Sequence, residues 1–353
     1  MLLNEHYQDH VVYFGNLRYD RYIMINVSIV VPAFKRIPQT LRTLDLLLLS
    51  EGLNSTFTLE IIIADSTPDT SLRDALSAKF GQKVIYVKPE KMGIAANKNA
   101  GARAAHGTIL IFSDSDIEPQ PNALQEAINA LQLHPKAAAV GGTVLWRGGP
   151  HNEEKDRPRI EDRMMIAENT TFIEALYSRF LATYKDVFWA VGGYDENVFN
   201  MRGEGSDLSV RYWRAGYPLT YSDAIIVHHV HDVTDAAAVR VDHPEWGIAK
   251  DLFLLGYKYD MFNDGFKNFP ATVDINFSLL GAEGYYRMLQ GIGRHFDDLI
   301  AAKPFLDAYR AKDKPAFDFK FLEVFSNTET FQVCIDDAGL KLAEVRSMIF
   351  PIS

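Results

Sequence analysis

Three short stretches of the chain bring together residue types that do chemistry. Asp114-Ser115-Asp116 follows the apolar run Thr108 to Phe112 directly. Two carboxylates two residues apart at a strand end can share a hard divalent cation such as Mg²⁺ or Mn²⁺. Such a cation takes oxygen ligands and often completes its shell with substrate phosphates. The same residues could instead form an Asx turn that caps the strand. Glu204-Gly205-Ser206-Asp207 offers two acids, one of which could accept a proton from a substrate hydroxyl. Acids are also favoured at a helix N-terminus for purely electrostatic reasons. His228-His229-Val230-His231 adds imidazoles after a β-branched run. Neutral imidazole ligates metals, and strand alternation puts His229 and His231 on one face and His228 on the other. A structural role for each histidine stays open at this level.

The elements that must position these groups follow from hydrophobic periodicity. Val27 to Val31 is β-branched and stops at Pro32, which reads as a buried strand. Leu41, Leu44 and Leu48 recur at helical spacing between Pro38 and Ser50, before Gly52. Leu59 to Ala64, Lys83 to Val87 and Thr108 to Phe112 read as further strands, with helices at Ser71 to Phe80 and Ala95 to Ala105 between them. Strands alternating with helices of about ten residues imply βαβ units and a mostly parallel, doubly wound α/β sheet. Asp114 and Asp116 would then lie at its carboxyl edge, where such sheets bind ligands. The pattern continues less regularly with a helix over Pro121 to Leu133 and a strand over Ala137 to Leu145. Arg147 to Arg163 is charged and rich in Gly and Pro, the composition of a surface loop. A helix is expected from Ser206 to Ala215 and a strand from Ala224 to His231. Beyond about Asp235 the composition shifts to aromatic-rich helical segments.

Length and charge narrow the function. At 353 residues the chain has room for about two domains. Its 36 Lys+Arg against 46 Asp+Glu give a net charge of −10, which disfavours sequence-independent binding to nucleic acid. The lone cysteine, Cys334, excludes an internal disulfide framework and a multi-cysteine zinc site. Met1 to Asp20 lacks the basic start and apolar core of a signal peptide, and no early apolar run is long enough to span a bilayer. A cytoplasmic protein is expected, free or peripheral at the inner face of the membrane.

Several of these segments occur in one order. Val27-Ser-Ile-Val-Val-Pro-Ala-Phe34 comes first, then Glu60-Ile-Ile-Ile-Ala-Asp65, Gly93-Ile-Ala-Ala-Asn-Lys-Asn-Ala-Gly101 and Ile111 to Asp116. Val191-Gly-Gly-Tyr-Asp195, Gly203-Glu-Gly-Ser-Asp-Leu208 with Arg211, and Ala224 to His229 follow. In this order the chain resembles the family 2 glycosyltransferases of GT-A fold, over residues 26–232 or about 60% of its length. The resemblance implies a Rossmann-like, mostly parallel sheet flanked by helices. It divides the chain into an N-terminal extension (1–25), a nucleotide-sugar half (26–116), an acceptor and catalytic half (117–235) and a mainly helical C-terminal region (236–353).

It also implies a metal-dependent transferase that moves a sugar from a nucleotide-sugar, UDP-sugar by family frequency, to a hydroxyl of a saccharide or lipid-linked acceptor, as in polysaccharide biosynthesis. Pro32, Ala33 and Phe34 would lie beside the nucleotide base, and Asp65 would face the base or ribose. Lys98 and Asn99 would lie near the diphosphate or form the pocket floor. Asp114 and Ser115 would meet the donor, and Asp116 would hold Mn²⁺ or Mg²⁺. His228 best matches the family's metal-binding histidine, with His229 next and His231 reachable by a register slip. Trp189 and Tyr194 would form an acceptor platform. The family usually places its base at the position of Gly205, so that role falls to Glu204, Asp207 or a residue outside the motif. Inversion at the anomeric carbon is the expectation, with a retaining enzyme or a non-catalytic binding protein as alternatives. A nucleotidyltransferase is disfavoured, because Pro32 to Pro38 holds no glycine for a phosphate loop. Oligomeric state is left open.

Overall fold

The computed structural model describes residues 24–135, 137–147, 164–167, 170–173, 175–176, 178–199, 203–230 and Lys258. Its centre is the strand β1 (Ile25–Ala33), buried without interruption from Val27 onward. It pairs in parallel with β2 (Phe57–Asp65) on one side and β4 (Ile109–Ser113) on the other, and β2 pairs in parallel with β3 (Val84–Val87). The crossovers are α1 (Ile37–Leu47), α2 (Ser71–Phe80) and α3 (Ile94–Ala104). A strand covered on both faces needs apolar residues at successive positions, which is why these segments read as continuous runs.

Alternation sorts those runs onto two cores. Val27, Ile29, Val31, Ile61, Ile63, Ile109 and Ile111 face one side, with Leu44 and Leu47 of α1 and Leu72 and Leu76 of α2. Leu124 and Leu131 of α4 (Ala123–Leu133) complete that layer. Val30, Ile62, Leu110 and Phe112 face the other side, with Ala95 and Ala102 of α3. Phe188 of α5 (Lys185–Ala190) and Leu208 and Tyr212 of α6 (Glu204–Arg214) close that second layer.

The same sheet continues into the second half of the described chain. Its strands are β5 (Ile117–Pro119), β6 (Ala139–Arg147), β7 (Met164–Ala167), β8 (Thr170–Ile173), β9 (Phe180–Tyr184) and β10 (Leu219–Val230). The order through both halves is β3-β2-β1-β4-β9-β6-β10-β8-β7, with β5 alongside β10. β9 runs antiparallel between β4 and β6, while β6 and β10 are parallel. Pattern reading gave no signal for β5, β7, β8 or β9, because strands of three to five residues are too short to show a period. β10 starts at Leu219 rather than Ala224, since its register shifts between Ser222 and Ile226 and the polar Ser222-Asp223 masks its first half. α6 starts at Glu204 rather than Ser206, so both acids of that motif lie in its first turn.

The expected C-terminal helices, the N-terminal extension, residues 148–163 and His231 lie outside the described residues, Lys258 and the first strand's lead-in apart. Among the described residues no helix is long and apolar enough to cross a membrane.

Candidate active site

Asp114, Ser115 and Asp116 form the tight connection between β4 and β5 at the carboxyl edge of the sheet. Neighbouring elements fix it from several directions. The Asp114 amide donates to the Arg179 carbonyl (2.9 Å), and the Val230 amide at the end of β10 donates to the Asp116 carbonyl (2.9 Å). From α1, the Thr43 hydroxyl donates to the carbonyls of Ser115 (3.0 Å) and Ile117 (2.8 Å).

Strand register selects the histidine. β5 lies antiparallel to β10 with Ile117 opposite His229, which brings that imidazole beside Asp116. Its Nε2 stands 3.2 Å from Asp116 Oδ1, and Trp146 packs edge-on against the ring at 4.8 Å. Ligand atoms of Asp114, Asp116 and His229 lie within 4.8 Å of one another. His228 sits opposite Glu118, a step away along the strand and on the other face, so the imidazole beside Asp116 is that of His229.

Two carboxylates and an imidazole form a donor set suited to a divalent cation, and among the described residues Asp114 Oδ1 is buried with no hydrogen-bond partner. Burial alone would raise the Asp116 carboxyl. The His229 hydrogen bond and charge and the Arg36 guanidinium outweigh it and hold Asp116 below the usual aspartate value. Asp114 is pushed up by burial, despite the pull of Lys98, and the Asp116 charge adds to that rise.

Glu204 reaches the same region from the start of α6. Its Oε1 accepts from Ser178 Oγ (2.5 Å) and from Lys98 Nζ (3.1 Å). The Lys98 ammonium, 1% exposed, also donates to the Ser178 carbonyl (3.1 Å) and Oγ (2.8 Å), and stands 3.7 Å from Asp114 Oδ1. Lys98 therefore links the Glu204 carboxylate to the Asp-x-Asp turn. Its three N–H donors are all spent inside the protein, which leaves none for a diphosphate. Burial would raise Glu204, but the Lys98 charge and the Ser178 and Lys98 hydrogen bonds prevail and lower it. Among the described residues Oε2 has no side-chain partner, so one oxygen of an ionised carboxylate remains to accept a proton.

A lowered carboxylate stabilises the fold fully above its unfolded value, about 4.3, and loses that contribution as pH falls through its folded value. The melting-temperature gap between wild type and Glu204→Gln should therefore stay constant from about pH 8 to pH 5 and shrink below pH 4. Thermal melts across that range measure it.

Gly205 has a steric reason. A Cβ there would lie 3.2 Å from the Leu176 carbonyl and from the Ser178 amide and hydroxyl. The glycine lets Ser178 come close enough to hold Glu204. Gly205→Asp, which supplies the acid expected by resemblance, should therefore displace Ser178. We expect at least tenfold lower turnover and about 1–3 kcal/mol lower stability, read by assay and by denaturant titration.

Asp207 is occupied differently. It is fully buried, its Oδ2 accepts from Arg211 Nη2 (2.7 Å) and Nε (2.9 Å), and its Oδ1 accepts from Lys258 Nζ (2.7 Å). Lys258 also donates to Asp195 (2.6 Å), and Arg211 to the Val191 carbonyl (2.7 Å). Asp207 thus ties α6 to the Val191-to-Asp195 loop and to Lys258. Asn99 serves that loop too, donating to the Tyr194 carbonyl (2.7 Å) and accepting from its amide (2.9 Å). Gly193, at φ 67°, takes a backbone conformation that disfavours other residues, and a Cβ would strike Trp189 at 2.8 Å.

The remaining expected residues divide. Pro32 and Ala33 end β1 opposite Ala64 and Asp65, with Phe34 half-buried after them. Asp65 is fully buried and accepts from the Thr67 amide (2.7 Å) and the Tyr86 hydroxyl (3.0 Å). Burial and that bond push the Tyr86 phenol up to about 12, so it stays a donor. Trp189 is half-buried against Phe188, whereas Tyr194 is 2% exposed and packed on Phe112 and Phe188. Tyr194 is core, so of the two aromatics only Trp189 keeps any exposed surface.

Residues 28–192 match the family model for glycosyl transferase family 2. Over those residues, just under half of its length, the chain is similar to the family 2 glycosyltransferases. N-acetylgalactosaminyltransferase 4 of Drosophila melanogaster is 26% identical over 163 residues, 41% of this chain and 25% of that protein. Validoxylamine A glucosyltransferase of Streptomyces hygroscopicus subsp. jinggangensis is 25% identical over 227 residues, 56% of this chain and 53% of that protein. The chain thus spans between a quarter and about half the length of these two relatives. Among solved structures, GalNAc-T7 with UDP, GalNAc and Mn²⁺ superposes at TM-score 0.54 and 14% identity, covering 91% of this chain and 58% of that one. S. aureus TarS 1-349 gives TM-score 0.54 at 13% identity, covering 81% and 83%. At such identities the likeness is one of fold, and that fold is GT-A.

Residues that pattern reading missed have no local signature. Ser178 and Lys258 stand in no motif, and Thr43 looks like an ordinary polar position on α1. Arg36 is the exception, because it lies two residues after the Pro32-Ala-Phe34 segment.

Proposed function

We propose that the protein transfers a sugar from a nucleotide-sugar donor, a UDP-sugar first, to a hydroxyl of a saccharide or lipid-linked acceptor, with inversion. The observation that carries this reading is the Glu204–Lys98–Asp114 bridge. It sets an ionised carboxylate beside the Asp114, Asp116 and His229 group at the sheet's carboxyl edge. Asp114, Asp116 and His229 would hold Mn²⁺ or Mg²⁺, which offsets charge on a departing phosphate oxygen when bound. The presence of UDP and Mn²⁺ in the GalNAc-T7 structure supports that assignment.

In this reading Glu204 Oε2 accepts the acceptor hydroxyl's proton. The hydroxyl oxygen bonds to the anomeric carbon from the face opposite the leaving group. The bond from that carbon to the donor's phosphate oxygen breaks, and its electron pair leaves with the nucleoside diphosphate. Lys98 and Ser178 hold Oε1 so that Oε2 faces the reactants. Dependence on a nucleotide-sugar would place the enzyme in the cytoplasm.

The test is a panel of UDP-, GDP- and CMP-sugars with Mn²⁺, Mg²⁺ or EDTA, reading nucleotide release with and without simple saccharide acceptors. Release of one nucleotide that EDTA abolishes supports the reading, and NMR of the product's anomeric proton decides inversion against retention. Metal-independent release, or nucleotide binding indifferent to Mn²⁺, would overturn it.

A further inference from the structure

The turn between β1 and α1 presents a cation that the mechanism above does not use. Lys35 and Arg36 both adopt left-handed backbone, at φ 57° and 48°. Two successive side-chain-bearing residues persist there only where the surroundings hold them. The Lys35 amide donates to Thr67 Oγ1 (2.7 Å), and the Arg36 carbonyl accepts from the Thr40 amide (3.0 Å) and hydroxyl (2.9 Å). From this fixed base Arg36 reaches across to pair its Nη1 with Asp116 Oδ2.

Two features show that this pairing does not satisfy the guanidinium. Among the described residues Arg36 Nε is buried with no hydrogen-bond partner, so a donor is held out of water beside the site and left unmet. Asp116 also belongs to the group that could hold a cation, and its other oxygen is the one facing His229. A divalent ion there would place two cations on one carboxylate. A donor diphosphate would bring the negative charge that relieves this, with several oxygens for a planar fork of N–H groups. Lys98 cannot serve instead, since its donors are spent on Ser178 and Glu204.

We propose that Arg36 is a ligand for the donor's diphosphate. It neutralises Asp116 while cation and donor are absent, and turns its guanidinium onto the phosphates when both are bound. This rests on the donor-site reading given under the proposed function. Nothing covalent is involved; hydrogen bonds and one ion pair change partners.

The experiment compares wild type, Arg36→Ala and Arg36→Gln, each checked by thermal melt. Mn²⁺ binding alone is followed by the electron paramagnetic resonance of free Mn²⁺. UDP, GDP and the corresponding nucleosides are titrated calorimetrically at saturating Mn²⁺. Arg36→Ala should bind Mn²⁺ alone as tightly as wild type or up to several-fold tighter, because a competitor for Asp116 is gone. It should bind the nucleoside diphosphate at least tenfold more weakly, with nucleoside binding unchanged. Arg36→Gln should lie between. Diphosphate affinity within twofold of wild type overturns the proposal, as does a parallel loss of Mn²⁺ and diphosphate, which would make Arg36 a prop for the cation site. Wild type that binds neither Mn²⁺ nor a nucleotide overturns the donor-site reading itself and this proposal with it.

Discussion

Glu204→Gln should lower kcat by about 10²–10⁴-fold, the range supplied by a positioned general base, with little change in nucleotide affinity. Glutamine keeps the shape and can still accept from Ser178 and Lys98, so the fold and the donor pocket survive. What disappears is the ionised oxygen that, in the proposed mechanism, takes the hydroxyl proton. The lowered titration of Glu204 adds a second consequence. Its carboxylate is already ionised at pH 6, so kcat/KM should show no rising limb from Glu204 between pH 6 and 8. Steady-state kinetics on both proteins across that range separates a base from a prop. A structural glutamate would move KM and kcat together, and Glu204→Asp would rescue neither.

Lys258→Met should cost about 3–5 kcal/mol of stability, the usual consequence of stripping one partner from a buried ion pair. Lys258 is 3% exposed and Asp207 fully buried, and the ammonium also bonds Asp195 and lies over the Phe199 ring at 5.5 Å. Removing it takes one cation from the buried Asp207 carboxylate and loosens the Val191-to-Asp195 loop. Lys258→Met combined with Asp207→Asn should recover part of the loss, because the buried carboxylate that Lys258 offset is removed as well. Denaturant titration of the two variants and their combination measures the coupling. Strict additivity would mean that the pair contributes nothing in solution.

How much of this could be read beforehand follows from the range of each interaction. The parallel half was legible because β1, β2 and β4 are covered on both faces, and continuous apolar runs at regular spacing leave little choice of topology. β9 was not, since five residues from Phe180 to Tyr184 gain their meaning only from β4 and β6 on either side. The Asp-x-Asp turn was visible in its residue types and its place after a strand. The choice between His228 and His229 was not, because it depends on the pairing of β10 with β5, two segments about 110 residues apart. Lys98 illustrates the same limit. Its motif was recognisable, but its partners Ser178 and Glu204 come from distant positions, and they turn it from a phosphate candidate into a clamp on the Glu204 carboxylate. Gly205 looked like a lost catalytic acid, and only the packing against Leu176 and Ser178 gives it a purpose.

The central claim is that Asp116 and His229 hold the cation on which donor binding depends. Calorimetric titration of UDP and UDP-sugars with Mn²⁺ into wild type, Asp116→Ala, His229→Ala and His228→Ala tests it most directly. The account predicts Mn²⁺-dependent binding in wild type and His228→Ala, with affinity reduced at least about tenfold in Asp116→Ala and His229→Ala, the scale seen when groups around a metal are removed. Undiminished binding in Asp116→Ala, or loss in His228→Ala with His229→Ala intact, would contradict it.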